Sequence, residues 1–217
     1  MTKILITSGP TRQYIDPVRY ISNASSGKMG SCLAGAALEL GYDVVVVSGP
    51  VAVDYPSEAE VINIVSTEDL LETCIRVFPD CDGLIGAAAP CDYRPIEVAD
   101  HKIRKTGETL EIKLVETEDV VAHLGSIKQP HQWTVGFALE TEDSRFRALS
   151  KLIRKSCNLV VVNGVAALHS DENSVEIISD QGEIIQSASG DKLHVAQTVL
   201  ACVQKFLIDG SATDQKA

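Results

Sequence analysis

Residues 3–48 read KILITSGPTRQYIDPVRYISNASSGKMGSCLAGAALELGYDVVVVS, and this stretch decides the fold. Two apolar runs, Lys3 to Thr7 and Asp43 to Ser48, predict buried strands, and the segment from Gly27 to Leu40 predicts a helix between them. A strand, a helix and a second strand in this order form a βαβ unit with a right-handed crossover. The sequence therefore predicts an α/β protein that opens with two parallel strands.

The rest of the chain continues this alternation. Further strands are predicted at Val61 to Val65, Gly83 to Ala88, Thr134 to Ala138 and Leu159 to Val162. Helices are predicted from Thr67 to about Pro79, from Asp119 to Ser126, from Asp143 to Ser156 and from Asp191 to Ile208. A chain that is 45% hydrophobic but only 5% aromatic suits a parallel sheet covered by helices. We therefore expect a Rossmann-like, doubly wound, mostly parallel sheet.

Two segments depart from the alternation. Asp92 to Val115 mixes charged and apolar residues around Gly107, which predicts an extended, hairpin-like flap outside the central sheet. Ser174 to Ser179 and Glu183 to Gln186 predict a C-terminal β-hairpin. Because no internal stretch has the composition of a linker, we expect residues 1–208 to form a single domain. Residues 209–217 carry no large apolar side chain, and we expect them to be a mobile tail.

Composition argues against several classes of protein. A formal charge of −11, from 30 acidic and 19 basic residues, repels nucleic acid. The six cysteines include no Cys-x-x-Cys pair, which favours buried, reduced thiols in a cytoplasmic protein. The first apolar run is too short for a signal peptide or a membrane span. The five histidines lack the spacing of metal ligands, so no metal site on the chain is predicted.

The loop after the first strand is the first candidate for a ligand site, because an open α/β sheet binds its ligand at the carboxyl ends of the strands. It contains Gly9, but Gly27 and Gly30 do not complete a dinucleotide fingerprint, and no acidic residue ends the second strand. An NAD(P)-dependent reductase, a competing interpretation, therefore lacks its motif. The segment before the helix instead offers Asn23, serine hydroxyls and backbone N–H groups for an anion. Its serines could equally cap the helix, and Asn23 could be a turn residue.

Three further groups could contact a ligand, and each also has a structural explanation. Small residues around Ala88 let a ligand approach the backbone, and Asp92 could accept a hydrogen bond from a ribose or a base. Tight packing and a turn would explain them equally well. Two basic clusters could bind phosphates or could simply be solvated. They are Lys102, Arg104 and Lys105 on the flap, and Arg147, Lys151, Arg154 and Lys155 on the predicted helix.

Taken together, these segments resemble the phosphopantothenate–cysteine ligase family of the bacterial, CTP-dependent type. The resemblance runs from Lys3 to about Phe206, and its most specific motif is DPVRYISNASSGKMG at residues 16–30. It implies the ligase half without the decarboxylase, which is either a stand-alone protein or one part of a fusion with a flavin-dependent decarboxylase. No flavin is expected on this chain.

The resemblance implies a two-step reaction of coenzyme A biosynthesis. The carboxylate of 4′-phosphopantothenate attacks CTP to give an acyl-cytidylate and pyrophosphate, and cysteine then displaces CMP. Mg²⁺ is expected with CTP, and family members are homodimers in which the flap meets the partner subunit. A nucleotide-binding subunit without catalysis is a third interpretation, against which the presence of both Asn23 and Lys102 argues.

The resemblance also implies roles for individual residues. Asn23 is expected to stabilise the acyl-cytidylate for its reaction with cysteine, and Lys102 is expected to contact it from the flap. The implied nucleotide-binding residues are Gly9, Ala88, Asp92, Lys102, Thr117, Glu118, Asp119, Val120, Phe137, Lys151 and Lys155. The implied substrate-binding residues are Arg19, Asn23 and Ala89. The chain departs from the family pattern at Pro90 and Cys91, which replace Val and Ala, and at Glu118, which replaces a common proline; Pro90 removes one backbone donor.

Overall fold

A computed structural model of the protein describes residues 1–139, 155–163 and 172–210. The helix predicted from Asp143 therefore lies outside the described residues except for its last two positions, Lys155 and Ser156, which lie in a turn. Of the predicted tail, only Asp209 and Gly210 are described.

The described residues form twelve strands and four α-helices. The strands are β1 (Lys3–Ser8), β2 (Arg12–Asp16), β3 (Arg19–Ser22), β4 (Asp43–Ser48), β5 (Glu60–Asn63), β6 (Gly83–Gly86), β7 (Tyr93–Pro95), β8 (Leu114–Glu116), β9 (Trp133–Leu139), β10 (Leu159–Asn163), β11 (Glu172–Ser179) and β12 (Ile184–Asp191). The helices are α1 (Lys28–Glu39), α2 (Thr67–Val77), α3 (Val120–Ile127) and α4 (Lys192–Val203). A 3₁₀ turn (Phe78–Asp80) follows α2, and a π-helical turn (Gln204–Ile208) follows α4.

Eight strands form the central sheet in the order β12-β11-β10-β9-β6-β1-β4-β5. The six strands from β10 to β5 are parallel, with Ile4 of β1 opposite Val44 on one side and Gly83 on the other. The predicted Rossmann-like, mostly parallel sheet is confirmed. The predicted C-terminal hairpin also forms, but it extends the central sheet, because β11 pairs antiparallel with β10.

The sheet is buried on both faces because neighbouring side chains of a strand point in opposite directions. Ile4 and Ile6 pack beneath α1 and α4, whereas Leu5 packs beneath α2 and α3, and all three side chains are fully buried. The small residues of α1 let that helix lie close to α4, with Ala34 and Ala37 completely buried. This three-layer arrangement explains why the strand sequences are almost continuously apolar.

The segment from Ser8 to Ser26 was expected to be a loop, and this prediction was wrong in part. It contains the hairpin β2–β3, which forms a separate two-stranded sheet. The flap prediction was better, since its two ends pair as β7 and β8. Both small sheets project from the carboxyl edge of the central sheet, where they frame the candidate site described below.

Helix α1 begins without a side-chain cap. Its N-cap residue is Gly27, which has a left-handed backbone (φ 76°), so neither Ser25 nor Ser26 is the cap. Helix α2, by contrast, has a complete capping box between Ser66 and Asp69. The Ser26 hydroxyl nevertheless accepts the Lys28 N–H at 3.4 Å, from outside the N-cap position.

The cysteines agree with the expected reduced state. All six are unpaired, and five are buried; Cys32, expected to be buried, is only half-buried. In the part of the chain that the structure describes, no helix combines the length and the apolar character needed to cross a bilayer.

We predict that Gly27→Ala destabilises the protein more than the matched change Gly41→Ala. Both glycines have positive φ values, 76° and 80°, so alanine at either position adds strain of about 1–2 kcal/mol. A Cβ atom at Gly27 would also lie 2.9 Å from Cγ1 of Val51, whereas one at Gly41 would meet nothing within 4 Å. Overpacking should therefore add about 1–3 kcal/mol at Gly27 alone. Urea unfolding of both variants measures the difference, and equal losses would contradict the packing argument.

Candidate functional site at the carboxyl edge of the sheet

The strand order reverses at β1, and this reversal creates a crevice. From β1 the chain moves to β4 and β5 on one side, and it then returns to β6 on the other side. The loops that follow β1 and β6 run side by side, with a parallel bridge between Pro10 and Ala89. Open α/β sheets bind ligands at such a switch point, outside the carboxyl ends of the strands.

A cleft of about 790 Å³ lies at this position. It is lined by Asn23, Ala24, Ala88 to Tyr93, Glu116 to Asp119, Ala122, Phe137, Ala138 and Lys155. Nine predicted site residues from five separate segments therefore meet in one place: Asn23, Ala88, Ala89, Asp92, Thr117, Glu118, Asp119, Phe137 and Lys155.

Of the other predicted residues, the four that the structure describes do not line the cleft. Val120 is buried as the first residue of α3, and Gly9 is buried in the turn after β1, where its carbonyl oxygen accepts the Ala89 N–H at 2.9 Å. Lys102 is exposed on the flap, and the guanidinium of Arg19 is engaged in contacts with other residues. Lys151 lies outside the described residues.

Asn23 is oriented by the residue at which the chain departs from the family pattern. Its amide Nδ2 donates to the Pro90 carbonyl oxygen at 2.9 Å. Pro90 has no N–H of its own, yet its carbonyl fixes the direction of the Asn23 side chain. The second amide hydrogen and the Oδ1 atom of Asn23 can therefore serve a ligand in the cleft.

Hydroxyl groups hold the loop after β6, which forms one wall of the cleft. The Cys91 N–H donates to Oγ1 of Thr11 at 2.8 Å, and the Cys91 carbonyl oxygen accepts from Oγ1 of Thr117 at 2.6 Å and from Oγ1 of Thr67 at 3.2 Å. The Thr11 and Thr67 hydroxyls are themselves hydrogen-bonded at 2.9 Å. Because four segments of the chain share this buried network, the wall of the cleft is rigidly held.

The amino end of α3 brings a carboxylate and an ammonium group into the cleft. Asp119 caps the helix by accepting the Ala122 N–H at 3.1 Å, and its other carboxylate oxygen pairs with Nζ of Lys155 at 3.0 Å. Glu118 hydrogen-bonds to Nδ1 of His123.

The charge of the described lining is negative. Four of its side chains, Asp92, Glu116, Glu118 and Asp119, are carboxylates, whereas Lys155 alone is a cation. A polyphosphate could enter only with an accompanying cation or with further basic side chains. Among the described residues, no three histidine, cysteine or acidic side chains converge on a point that could hold a metal ion.

The flap is attached beside the cleft by a buried carboxylate. Asp16 is fully buried and accepts the N–H groups of Val18 and Arg19 at 2.9 Å and of Ile103 at 3.1 Å. The Arg19 guanidinium lies 2.6 Å from Oδ2 of Asp16 and donates to the Ile103 carbonyl oxygen at 3.1 Å. Asp16 and Arg19 together therefore fix the flap at the residue next to Lys102.

The pKa of Asp16 reflects this arrangement. Burial acts to raise the pKa, but the three backbone N–H groups and the neighbouring guanidinium outweigh it, so the pKa of Asp16 lies below its ordinary value. The sequence contained a signal for part of this structure, because an aspartate followed by N–H donors two and three residues later is typical of an Asx turn. Its contact with Ile103, 87 residues away, had no such signal.

The fold and the cleft together define a Rossmann-like α/β protein with a ligand site at its switch point. The family model described as the DNA/pantothenate metabolism flavoprotein C-terminal domain matches residues 1–207. The chain therefore belongs to this family, which confirms the resemblance found in the sequence.

Curated relatives agree with this assignment. The chain is 41% identical over 187 residues to the coenzyme A biosynthesis bifunctional protein CoaBC of Vibrio parahaemolyticus, covering 83% of this chain and 47% of the relative. It is 40% identical over 202 residues to CoaBC of Bacillus subtilis, covering 91% of this chain and 50% of the relative. The chain thus spans about half the length of these relatives.

A solved structure allows the fold of this chain to be compared with that of a relative. The crystal structure of the C-terminal domain of CoaBC superposes with a TM-score of 0.81 at 36% identity, and the match covers 96% of both chains. The chain therefore corresponds in extent to the C-terminal domain in that crystal structure.

We predict that Asp16→Asn destabilises the protein in a pH-dependent way. A carboxylate with a lowered pKa stabilises the folded state above its ordinary pKa, and this stabilisation is lost as the pH falls through the lower, folded-state value. The wild type should therefore unfold at higher urea concentration than Asp16→Asn at pH 7, and the gap should narrow below about pH 4. The Ile103 amide should also exchange its hydrogen faster in the variant.

Asp100→Asn is the matched control, because it removes the same charge from an exposed position of the flap. This control should unfold at nearly the same urea concentration as the wild type at every pH. A constant gap between wild type and Asp16→Asn from pH 7 to pH 3 would contradict a role for the ionised carboxylate.

Proposed function

We propose that the chain is the cysteine-adding ligase of coenzyme A biosynthesis, with CTP as its nucleotide. In the first step, a carboxylate oxygen of 4′-phosphopantothenate attacks the α-phosphorus of CTP, and pyrophosphate leaves. In the second step, the cysteine amine attacks the acyl carbon of the acyl-cytidylate, CMP leaves with the electrons of the cleaved bond, and the amine loses a proton to solvent. Two relatives support this proposal, because each is named as a bifunctional protein of coenzyme A biosynthesis.

One observation carries the proposal: residues that are distant in sequence meet in a single cleft at the switch point. Asn23, Asp92 and Lys155 come from three segments of the chain and line the same cleft. Chemistry at an activated phosphate depends on positioning and on charge stabilisation more than on a strong base. Those needs are met by the amide donor of Asn23, by the Asp92 carboxylate for the sugar or base, and by the Lys155 ammonium group for phosphate.

The acidic lining favours a nucleotide that arrives as its magnesium complex. Mg²⁺ prefers oxygen ligands and usually keeps several waters, so phosphate oxygens and one or two carboxylates suffice to hold it. Asp92 and Glu116 are exposed carboxylates of the cleft and could supply such contacts. We therefore propose Mg²⁺ as the companion of CTP, with the flap residue Lys102 adding a positive charge when the flap closes.

We also propose that the chain forms a homodimer through the flap. The flap exposes apolar side chains in two nearby stretches, with Ile96 and Val98 more than half exposed and Leu110, Ile112 and Leu114 also exposed. Contiguous apolar surface of this kind is typical of an interface. A second subunit would cover it and could bring a flap next to the neighbouring cleft. Sedimentation equilibrium measures the mass of the assembly, which is expected to be that of two chains.

The setting of the reaction follows from the same proposal. The relatives are bifunctional and about twice as long, so a flavin-dependent decarboxylase, fused or separate, would supply the companion activity. A cytoplasmic location fits the six unpaired cysteines.

We predict that the purified chain releases pyrophosphate when it is given CTP, Mg²⁺ and 4′-phosphopantothenate, and that release continues through many turnovers once cysteine is added. A coupled pyrophosphate assay measures both. A chain that binds CTP but releases no pyrophosphate would instead be a nucleotide-binding subunit. A chain that binds NADP(H) and not CTP would favour the reductase interpretation.

We predict that Asn23→Asp forms the acyl-cytidylate but transfers it to cysteine about tenfold to a hundredfold more slowly, since a hydrogen bond to a charged group contributes about 1.5–3 kcal/mol. The new carboxylate would repel both the adduct phosphate and the Pro90 carbonyl oxygen that Asn23 now contacts. Mass spectrometry should detect the accumulated adduct. Normal turnover of this variant would refute the role assigned to Asn23.

A further inference from the structure

The turn formed by residues 155–158, here the Lys155 turn, has an unusual backbone. Ser156 has a φ of 50°, the one positive value among the described residues that are not glycine. A side chain in this left-handed region costs about 1–2 kcal/mol relative to the right-handed one. Such a conformation persists only where surrounding contacts over-determine it. The contacts around the turn therefore show which groups keep Ser156 in this conformation.

Two donors converge on the strained residue. The Ser156 carbonyl oxygen accepts from Nζ of Lys128 at 2.7 Å and from Oγ1 of Thr134 at 3.1 Å. Lys128 also donates to Oδ1 of Asn158 at 2.7 Å, and the same oxygen accepts the Thr134 N–H at 3.0 Å. The Lys128 ammonium group thus ties together both ends of the strained part of the turn.

Lys128 is held by neutral oxygens. Among the described residues, no carboxylate lies within ion-pair distance of its ammonium group. Burial lowers the pKa of Lys128, and the neighbouring Cys157 and Asp180 partly oppose this effect. A partly buried ammonium group without a paired carboxylate is unfavourable unless its hydrogen bonds are well formed. Its two short bonds to the turn meet that requirement.

Helix α3, whose C-cap residue is Lys128, also packs directly against the same turn. A Cβ atom at Gly125 would lie 2.1 Å from the Lys155 carbonyl oxygen, so glycine is needed for this close approach. Asp119, which caps α3, pairs with Nζ of Lys155 at 3.0 Å. Gly125 and Asp119 are six residues apart, or about 9 Å along the helix axis. The Lys155 side chain therefore runs along α3 towards its amino end and reaches the cleft there.

We propose that Lys128 is a positioning residue that locks the Lys155 turn and thereby aims the Lys155 ammonium group at the phosphates of a nucleotide in the cleft. This inference rests on the proposed function, because it assigns Lys155 a nucleotide phosphate as its partner. Lys128 does not line the cleft and acts through Lys155 alone. In a lining with four carboxylates, a displaced Lys155 would leave the phosphates without the one cation of the described lining.

The test compares Lys128→Met in the wild-type background and in a Lys155→Met background. The affinity for CTP with Mg²⁺ is measured by titration calorimetry. Lys128→Met should weaken binding by about tenfold when Lys155 is present and by less than about twofold when it is absent, since residues that act as a unit are not additive. Weakening by the same factor in both backgrounds would overturn the proposal, as would unchanged affinity in the single variant.

Two further variants separate position from charge and from folding. Lys205→Met changes the formal charge by the same amount, from −11 to −12, at a residue that follows α4 and lines no part of the cleft, and it should leave CTP affinity unchanged. Thr134→Val removes the second donor to Ser156 but keeps the Lys128 charge, and it should weaken CTP binding in the same direction. Should Lys128→Met fail to fold, Thr134→Val in the two Lys155 backgrounds decides the question by the same criterion.

Hydrogen exchange distinguishes failure of this inference from failure of the proposed function. Lys128→Met should speed exchange of the amides of residues 156–158, while amides of β1 and β4 keep their wild-type rates. If the wild type binds no CTP, the proposed function is wrong whatever the exchange shows. If the wild type binds CTP and the turn exchanges at its wild-type rate in Lys128→Met, the locking role is wrong and the proposed function stands.

Discussion

The structure depends on the position of β1 at the centre of the parallel sheet. β1 pairs with β4 on one side and with β6 on the other, so the chain must leave its carboxyl end in one direction and return from the opposite one. The loops after β1 and β6 consequently meet at this edge, where a bridge joins Pro10 and Ala89 and the Cys91 N–H donates to Oγ1 of Thr11. Most residues of the cleft lie on segments that this reversal brings to the same edge, whereas Lys155 reaches the cleft from the turn that precedes β10. The position of the site therefore follows from the topology of the sheet more than from any one side chain.

The sequence predicted the elements that are buried on both faces. The runs at Lys3–Ser8 and Asp43–Ser48 are unbroken and apolar because both sides of each strand meet a helical layer, and burial of that kind leaves a readable pattern. The hairpin β2–β3 leaves none, because its residues are mostly polar and aromatic and several of its contacts are with distant parts of the chain. Arg12 donates its N–H to the Val65 carbonyl oxygen at 2.8 Å, and Asp16 binds the flap. Local patterning cannot encode partners that lie 50 to 90 residues away.

The same distinction applies to the candidate site. The glycine, alanine and asparagine motifs could be read in the sequence because they occupy loops at predicted strand ends, and the structure brings most of them into one cleft. The contacts of Lys128 could not be predicted, because the sequence Lys128-Gln129-Pro130 is typical of an exposed loop. Its partners Ser156 and Asn158 are about 30 residues further on. Lys102 was expected at the cleft but lies exposed on the flap, at a position that Asp16 and Arg19 determine. The motifs marked most of the described residues that line the cleft, whereas Lys128 is marked only by its contacts.

The charge of the cleft explains why positioning matters in this protein. Its one described cation, Lys155, is already paired with Asp119, so a phosphate of the proposed nucleotide would compete with a carboxylate that is part of the helix cap. The exchange is close to balanced in Coulomb energy, because one anionic partner of the lysine gives way to another. Geometry then decides the outcome: a phosphate that meets the ammonium group along the direction in which the turn already holds it gains a short, charge-assisted hydrogen bond without reordering the chain. Because the described lining has one cation and four carboxylates, the proposed function requires Lys155 to be placed accurately, and we propose that the strained, doubly held turn at Ser156 places it.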